Sequence, residues 1–310
     1  MAFWNHSDDH SKADYSKRDS AIAVNSYTTV LKREGVPHDV FAVYWRDAHG
    51  PLCSRLPGLG WYVQHHFSRE QDGHLWACAE GIGALPGYVL DGMVEIGFAS
   101  TSDQKRFQDA SPLLFADEQN VFEETLAYDL PQGSTTYVDR LPDATPNGAD
   151  TADRLHVHFH ALPGQEKAFA SYMVDEVATP LAKCEDILKL RLHLPELYDN
   201  ATPNPPSPDV KHEVPIQRER LAMLEIAFES PLHRRQFLAT DAFRATLQNQ
   251  AQVVSHVTAF GVSGVYTFVR DGKLTCAGLR GSRVAELITQ LGATNQVSPE
   301  VENGFRPQGQ

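Results

Sequence analysis

Residues 41–66 read FAVYWRDAHGPLCSRLPGLGWYVQHH, and this stretch decides how the chain folds. Apolar residues recur at three- and four-residue steps, among them Phe41 and Trp45, which is the spacing of one helix face. His49 lies one turn beyond Trp45 at the flank of that face, and Pro51 is expected to end the helix. A Leu-Pro-Gly turn and an aromatic strand follow. The stretch predicts a helix, a turn and a strand that hold an imidazole beside a Tyr/Trp wall.

The chain contains two unequal copies of one pattern. Residues 94–100 (VEIGFAS) align with residues 224–230 (LEIAFES), and the HGPL motif at 49–52 falls near ATPL at 178–181. Each copy is predicted to run strand, helix, strand, strand, helix, strand. The predicted strands of the first copy lie near 25–33, 61–68, 91–99 and 125–130, with helices near 37–50 and 102–124. Those of the second lie near 154–162, 187–194, 221–229 and 254–262, with helices near 165–183 and 231–251.

A βαββαβ unit of this kind is a ferredoxin-like sandwich, in which two helices cover one face of an antiparallel sheet. The other face must also be buried, and the second copy is the obvious cover. The predicted fold class is therefore α+β, with two ferredoxin-like units packed sheet to sheet. The expected division is a polar N-terminal segment, a first unit, a second unit that ends in a hairpin and a helix, and a mobile tail, at residues 1–20, 21–140, 154–292 and 293–310.

The connecting segments have their own signatures. Residues 139–153 have the Pro/Gly/Asp composition of an exposed linker, and the Pro-rich residues 201–215 are predicted to form a surface loop or lid. After the second copy, residues 265–277 are predicted to form a hairpin, and residues 282–291 a helix with Gly292 as its stop.

Composition excludes several classes of function. The hydrophobic and charged fractions, 42% and 22%, are those of a globular protein, and no apolar run approaches the roughly 20 residues that span a bilayer. A net charge of −13 argues against nucleic acid and anionic membranes as partners. Four scattered cysteines form no disulfide framework, and the N-terminus lacks a secretory signal pattern. We expect a cytoplasmic protein with a small-molecule substrate, and homodimerisation is left open.

The first copy resembles the EthD family, whose small ferredoxin-like proteins pair into dimeric α/β barrels. The matching positions are Phe41, Tyr44, Trp45, His49, Pro51, Leu52, Leu56-Pro57-Gly58, Tyr62-Val63-Gln64, His66, Asp91 to Glu95, Asp117-Glu118, Asn120 and Phe122. The resemblance implies that the two copies form an intramolecular version of the family's α/β barrel. It also places His49 on the helix that lines the family's pocket, and it implies no cofactor. Similar proteins are linked to dehydration or decarboxylation of aromatic polyketides and to accessory roles in catabolism.

One group of residues in the first copy is suited to acid/base chemistry. Strand alternation puts Tyr62, Gln64 and His66 on one face, where a plain core strand would carry aliphatic side chains. The predicted catalytic residues are His49, His66, Tyr62, Tyr44, Asp91 and Glu95. In this scheme His49 is the general acid or base, the two tyrosines and His66 orient an oxygen, and Asp91 or Glu95 holds an imidazole. The second copy has Ala178 near the position of His49, so one unit is expected to carry the chemistry.

A second group favours a different reading. His156, His158 and His160 alternate on one strand, and His193 is expected on a strand of the same sheet. Imidazole clusters suit transition metals, but three histidines in line on one strand are too far apart to bind one ion, so a carboxylate such as Glu225 would have to complete the site. The leading interpretation is that these residues are a polar barrel lining, with no metal bound.

Three functions follow from these alternatives. The first is a cofactor-free lyase or isomerase that acts on a small aromatic or carbonyl compound. The second is a metal- or haem-dependent oxidoreductase that uses the second-copy histidines. The third is a non-catalytic carrier or accessory protein that shields a reactive small molecule. Motifs for nucleotide binding and for hydrolases are missing from the sequence.

Overall fold

The computed structural model of the chain describes residues 13–69, 75–202 and 206–305. Most of the predicted N-terminal segment, residues 1–12, and the last five residues of the predicted tail lie outside the described residues. No helix within the described ranges is long and apolar enough to cross a membrane.

The first unit has the predicted βαββαβ order. Its elements are β1 (Val24–Lys32), α1 (His38–Tyr44), a π-helical turn (Trp45–His49), α2 (Gly50–Ser54), β2 (Trp61–Phe67), β3 (Gly92–Phe98), α3 (Thr101–Ala110), α4 (Pro112–Val121) and β4 (Phe122–Leu130). The strands lie in the order β4-β1-β3-β2 and every neighbouring pair is antiparallel. This is the ferredoxin-like arrangement.

The second unit repeats that arrangement after a linker that contains two short strands. The linker strands are β5 (Thr135–Asp139) and β6 (Asn147–Ala149). The unit then consists of β7 (Asp153–Ala161), α5 (Glu166–Ser171), a π-helical turn (Tyr172–Ala178), α6 (Thr179–Leu181), β8 (Lys189–His193), α7 (Ile216–Glu219), β9 (Leu221–Phe228), α8 (Pro231–Leu238), α9 (Asp241–Ala245), α10 (Gln250–Val253) and β10 (Val254–Arg270). Its strand order is β10-β7-β9-β8, which is again ferredoxin-like.

The fourth strand of each unit continues onto the second strand of the other unit. The first part of β10 pairs with β7, and from Val262 onward β10 pairs with β2. In the same way β5, which directly follows β4, pairs with β8. These two ladders close the two sheets into one α/β barrel, as the predicted fold class requires. The helices cover the outside of the barrel, and the two sheets share its interior.

The repeat is visible in local geometry as well as in strand order. Ser100 and Ser230 occupy equivalent positions before α3 and α8, and each hydroxyl accepts a hydrogen bond from the backbone N–H three residues later. Each unit also has a π-helical turn at the same point of its first helical segment, two residues before a proline. The internal duplication therefore extends to caps and helix irregularities.

Pro51 does not end the first helix, contrary to the prediction. In a regular α-helix its ring would clash with the carbonyl group of Asp47, four residues earlier. The π-helical turn from Trp45 to His49 widens the helix at this point, and α2 then continues to Ser54 with the proline in its first turn. The helical segment is thus longer than predicted, and His49 lies inside it rather than at its end.

Three other boundaries differ from the predictions. The helix expected at 102–124 is two helices that meet at Ser111, because Pro112 cannot continue the first, and β4 already begins at Phe122. The helix expected at 231–251 is three short ones. The C-terminal hairpin forms at the predicted Asp271-Gly272 turn, but its second strand, β11 (Lys273–Leu274), is two residues long, and its first strand is the end of β10, which both units share.

The C-terminal segment packs on the first unit. A helix, α11 (Cys276–Arg280), follows β11 where the hairpin strand is expected to continue, and α12 (Ser282–Leu291) ends at Gly292 in the left-handed conformation, as predicted. A final helix, α13 (Pro299–Gly304), follows. Arg55 donates hydrogen bonds to the carbonyl oxygens of Gly278 and Leu279, which ties α11 to α2.

Candidate active site

A cavity of about 90 Å³ lies between the sheet and the helices of the first unit. Apolar side chains form most of its wall, including Trp45, Val94 and Phe107, and exposed Gln108 and Asp129 mark its connection to solvent. About 10–15 Å³ is enough for one water molecule, so this space can hold a small organic molecule or several waters.

His49 lines the cavity from the π-helical turn. Its ring packs edge-on against Phe122, with centroids 5.4 Å apart, and its Nδ1 lies 2.9 Å from Oδ2 of Asp117 on α4. A carboxylate at Nδ1 favours the tautomer that carries its proton there, which leaves Nε2 as the nitrogen free to exchange a proton. The arrangement of a carboxylate, an imidazole and a cavity is that of an oriented acid/base group.

Asp117 is held in its ionised form by its neighbours. The hydrogen bond from His49 lowers the pKa of Asp117 to about 2, although partial burial opposes this change. The Tyr44 hydroxyl donates a second hydrogen bond to Oδ1 at 2.5 Å, and Asn120 donates a third at 3.3 Å. Tyr44 therefore holds in place the carboxylate that orients His49, and its hydroxyl hydrogen is used in this bond rather than in binding a substrate oxygen.

Glu118, the next residue of α4, lines the cavity directly. Its side chain is buried, and burial raises the pKa of Glu118, while the nearby His49 and a hydrogen bond from Ser207 act in the opposite direction. Thr125 also donates a hydrogen bond to Oε2 at 3.2 Å. A carboxyl group whose pKa is raised by burial keeps its proton to a higher pH than a solvated one, which suits it to proton transfer.

The Pro-rich loop of the second unit contacts the residues that form this wall. Ser207 donates its hydroxyl hydrogen bond to Glu118, and Val210 packs into the core of the first unit. The ring of His212 contacts the carbonyl oxygen of Thr125 at 2.8 Å. The stretch predicted to be a surface loop or lid thus includes buried residues that hold the buried carboxylate of the site.

The predicted strip on β2 has one member at the cavity. Tyr62 lines it, Gln64 donates to the Tyr62 hydroxyl at 2.8 Å, and His66 contacts Oε1 of Gln64 at 3.1 Å, so the three do share one face. His66, however, stacks on Trp45 at 4.2 Å between centroids and is separated from the cavity by that ring. Burial raises the pKa of Tyr62 and lowers that of His66, so both are neutral.

Asp91 and Glu95 lie away from the cavity. Asp91 accepts hydrogen bonds from the Lys32 backbone N–H at 2.8 Å and from Arg69 at 2.6 Å, which fixes the end of β1. Glu95 points to the other face of β3, as the alternation with Val94 predicts, and forms a buried ion pair with Arg191 of the second unit. The carboxylate that holds the His49 imidazole is Asp117, in place of the predicted Asp91 or Glu95.

The equivalent position in the second unit carries no ionisable group. Ala178 ends the second π-helical turn, and Pro180 follows it at the spacing at which Pro51 follows His49. Around Ala178 the described side chains form an apolar cluster that includes Phe169, Met173 and Leu181. The two units therefore differ in side chains and agree in backbone.

The histidines of β7 fill the barrel interior. His156, His158 and His160 are all buried on the same face of the strand, and His193 lies on β8 of the same sheet. They do not gather into one site. His158 bonds to tyrosines, His160 contacts the Gln217 carbonyl oxygen at 2.8 Å and His193 contacts the Ser134 hydroxyl at 2.7 Å. Within the described ranges, the group with metal-binding spacing is His65, His156 and Glu225.

No protein-family model and no curated protein matches the chain. Solved structures match at low identity. A candidate monooxygenase from Fusobacterium nucleatum is 8% identical over 81% of this chain and 96% of that chain, with a TM-score of 0.48. An anthrone oxidase-like protein is 9% identical over 82% and 96%, with a TM-score of 0.47. A mutant chlorite dismutase from Candidatus Nitrospira defluvii is 11% identical over 80% and 95%, with a TM-score of 0.38.

These likenesses are too weak to bear on activity. The fold assignment rests on the strand order and register of the chain itself, which are those of two ferredoxin-like units closed into an α/β barrel.

Proposed function

We propose that the chain is an EthD-like enzyme that acts on a small aromatic or carbonyl compound by acid/base chemistry of the lyase or isomerase type. The observation that carries the proposal is the contact of 2.9 Å between His49 and Asp117 at the wall of an apolar cavity. The resemblance of residues 41–122 to the EthD family supports the same site, because it includes both residues. We further propose a cytoplasmic location and no requirement for an organic cofactor.

The first step would be proton abstraction by His49. Nε2 takes a proton from a carbon next to a carbonyl group, and the C–H electron pair moves to form an enolate whose charge rests on the carbonyl oxygen. Asp117 stabilises the imidazolium that forms, and Tyr44 and Asn120 keep the carboxylate in place. The neutral Tyr62 hydroxyl lies on the cavity wall and is suited to donate a hydrogen bond to that oxygen.

Glu118 would complete the reaction. In its protonated form it can deliver a proton to a second carbon, which gives an isomer, or to a departing hydroxyl group, which leaves as water and gives a lyase reaction. Its raised pKa and its place on the same cavity wall as His49 support this role. The apolar lining from Trp45 and Phe107 favours an aromatic or otherwise flat substrate.

The test is hydrogen exchange in a small aromatic ketone. We would incubate acetophenone with the protein in D₂O and follow loss of the methyl proton signal by NMR for wild type, His49→Asn and Glu118→Gln. His233→Asn is the matched control, because this histidine lies partly exposed on α8, in the second unit. We expect exchange in wild type and in the control, and a loss of about 10²–10⁴-fold in His49→Asn. Equal rates in wild type and His49→Asn would exclude the proposed base.

A binding measurement, compared with the exchange rate, distinguishes an enzyme from a carrier. Saturation-transfer NMR with the same ketone reports binding independently of exchange. Binding that persists without exchange in any variant would favour the non-catalytic carrier, and would overturn the proposed reaction.

A further inference from the structure

The barrel interior brings together three metal-binding side chains from both units, at a site separate from the cavity of His49. His156 on β7 lies directly opposite Glu225 on β9 in the strand register, and His65 reaches them from β2. One ring nitrogen of each histidine and one carboxylate oxygen lie within 4.8 Å of one another. All three residues are buried, with exposed fractions of 1–5%.

The distances are close to those of a loaded site. Nδ1 of His65 and Nε2 of His156 are 2.9 Å apart. Two ligands of a tetrahedral ion at about 2.1 Å each stand about 3.4 Å apart, so the two rings need to separate by about 0.5 Å to admit the ion. This is within the reach of side-chain adjustment, and the strand backbones can stay where they are.

The ionisation states suit a cation. Burial lowers the pKa of His65 to about 4 and that of His156 well below its usual value, so both rings are neutral at pH 7 and each has one nitrogen lone pair, which its choice of tautomer can turn toward the ion. Burial alone would raise the pKa of Glu225, but Arg154 and Lys189 lower it, so the carboxylate is ionised. Arg154 bonds to one carboxylate oxygen, Oε1, and the carboxylate has a second oxygen to offer.

The surroundings provide an outer shell and room for solvent. The second nitrogen of His156, Nδ1, contacts the Tyr27 hydroxyl at 2.9 Å, which is the kind of contact that orients a metal-bound imidazole. A cavity of about 50 Å³ adjoins the group and is lined by His65, Glu225 and Arg154 among others. This is space for a few water molecules, each of which needs about 10–15 Å³, to complete the coordination of the ion.

We propose that His65, His156 and Glu225 bind one divalent first-row transition metal ion, with Zn²⁺ as the reference ion. Two imidazoles and one carboxylate form a known ligand set for such ions, and the remaining position is left to water from the adjoining cavity. Because the ligands come from β2, β7 and β9, the ion links the first unit to the second. Histidine and carboxylate ligands distinguish this site from one for Mg²⁺ or Ca²⁺, which prefer oxygen alone.

Metal binding also fixes the protons in the barrel. His65, His156, Tyr27, His158 and Tyr88 form one continuous chain of contacts at 2.8–2.9 Å. With the ion on Nε2, His156 must carry its proton on Nδ1 and donate it to Tyr27, which then donates to His158, which donates to Tyr88. Without the ion the same chain can run in either direction. The ion therefore selects one hydrogen-bond polarity through the barrel.

The experiment is a titration of untagged protein, stripped of metal with a chelator, with Zn²⁺ and with Co²⁺. Zn²⁺ is counted by elemental analysis after dialysis, and Co²⁺ reports coordination geometry through its visible absorption. The variants are His65→Gln and Glu225→Gln. The control is His160→Gln, which removes a buried histidine from the same face of β7 outside the group. Circular dichroism checks that each variant is folded.

We expect wild type and His160→Gln to bind one equivalent of Zn²⁺ and to show intense tetrahedral-type Co²⁺ absorption. The affinity of His65→Gln for Zn²⁺ should be lower by a factor of about 100 or more. Glu225→Gln removes one of the two carboxylates that pair with Arg154, the other being Asp150; if this variant does not fold, His65→Gln and the wild-type Co²⁺ spectrum decide. Wild type that retains no Zn²⁺, or His65→Gln that binds as wild type does, would overturn the proposal. The result is independent of His49 and of any exchange activity.

Discussion

Replacing Asp117 with Asn should cost stability in a manner that depends on pH. The pKa of Asp117 falls from 3.8 to about 2 in the folded protein, mainly through its hydrogen bond with His49. At about 1.4 kcal/mol per pKa unit, a pKa difference of about 1.8 sets an upper limit near 2.5 kcal/mol on the free energy of unfolding that the substitution removes. Because the carboxylate is partly solvated, screening reduces the expected loss to roughly 1 kcal/mol.

The sign of the pH effect follows from the lowered pKa. The contribution of the ionised Asp117 is fully present above pH 3.8 and is lost as the pH falls through about 2. The difference in unfolding free energy between wild type and Asp117→Asn should therefore be about 1 kcal/mol at pH 6 and about half of that at pH 3. Urea unfolding followed by circular dichroism at both pH values measures it.

Asp109→Asn is the matched control, because Asp109 is exposed on α3 and pairs with Lys105 on the same helix. Its effect should stay within a few tenths of a kcal/mol, as is usual for an exposed pair. A difference for Asp117→Asn that is the same at pH 6 and pH 3, or no larger than that of the control, would refute the assignment of Asp117 as the partner of His49.

Three further changes have defined outcomes. Gly50→Ala places a Cβ 2.5 Å from the buried Phe268 ring and should lower stability by about 1–3 kcal/mol in thermal melts, whereas Gly83→Ala, with open space around it, should not. Glu118→Gln removes a carboxylate whose pKa burial raises; since ionising that group costs stability, the variant should gain stability relative to wild type in urea unfolding as the pH rises above 4.5, and a difference that is constant with pH would contradict this. Ala127→Leu fills part of the cavity and should weaken acetophenone binding about tenfold or more without loss of stability; unchanged affinity would place the ligand elsewhere.

The architecture could be predicted from the sequence because apolar residues in both units recur with the regular periods of helices and strands. Alternation on β2 placed Tyr62, Gln64 and His66 on one face, and the aligned LEIAFES segment predicted the second unit. The prediction that Pro51 ends the helix is wrong because a π-helical turn, which has no local sequence signature, removes the steric clash of the proline ring. The continuous β10 was missed because its second part is held by pairing with β2, almost 200 residues away in the chain.

The site was only partly predictable. His49 was found because the helix period and the HGP motif are local, but its partner depends on which face of α4 turns inward after the break at Ser111. The pair Asp117-Glu118 was the available signal. His65 could not be predicted as a site residue, because it lies on the face of β2 opposite Tyr62, Gln64 and His66, and its contact with His156 joins two units whose relative placement no local pattern records.

The measurement that tests the central claim most directly is chemical rescue of His49→Ala by imidazole in the acetophenone exchange assay. If His49 is the base, truncation should lower the exchange rate by about 10²–10⁴-fold, and added imidazole should restore part of it by entering the vacated space. Wild type and His233→Ala should not respond. An undiminished rate in His49→Ala, or equal stimulation of wild type by imidazole, would contradict the assignment of this cavity as the active site.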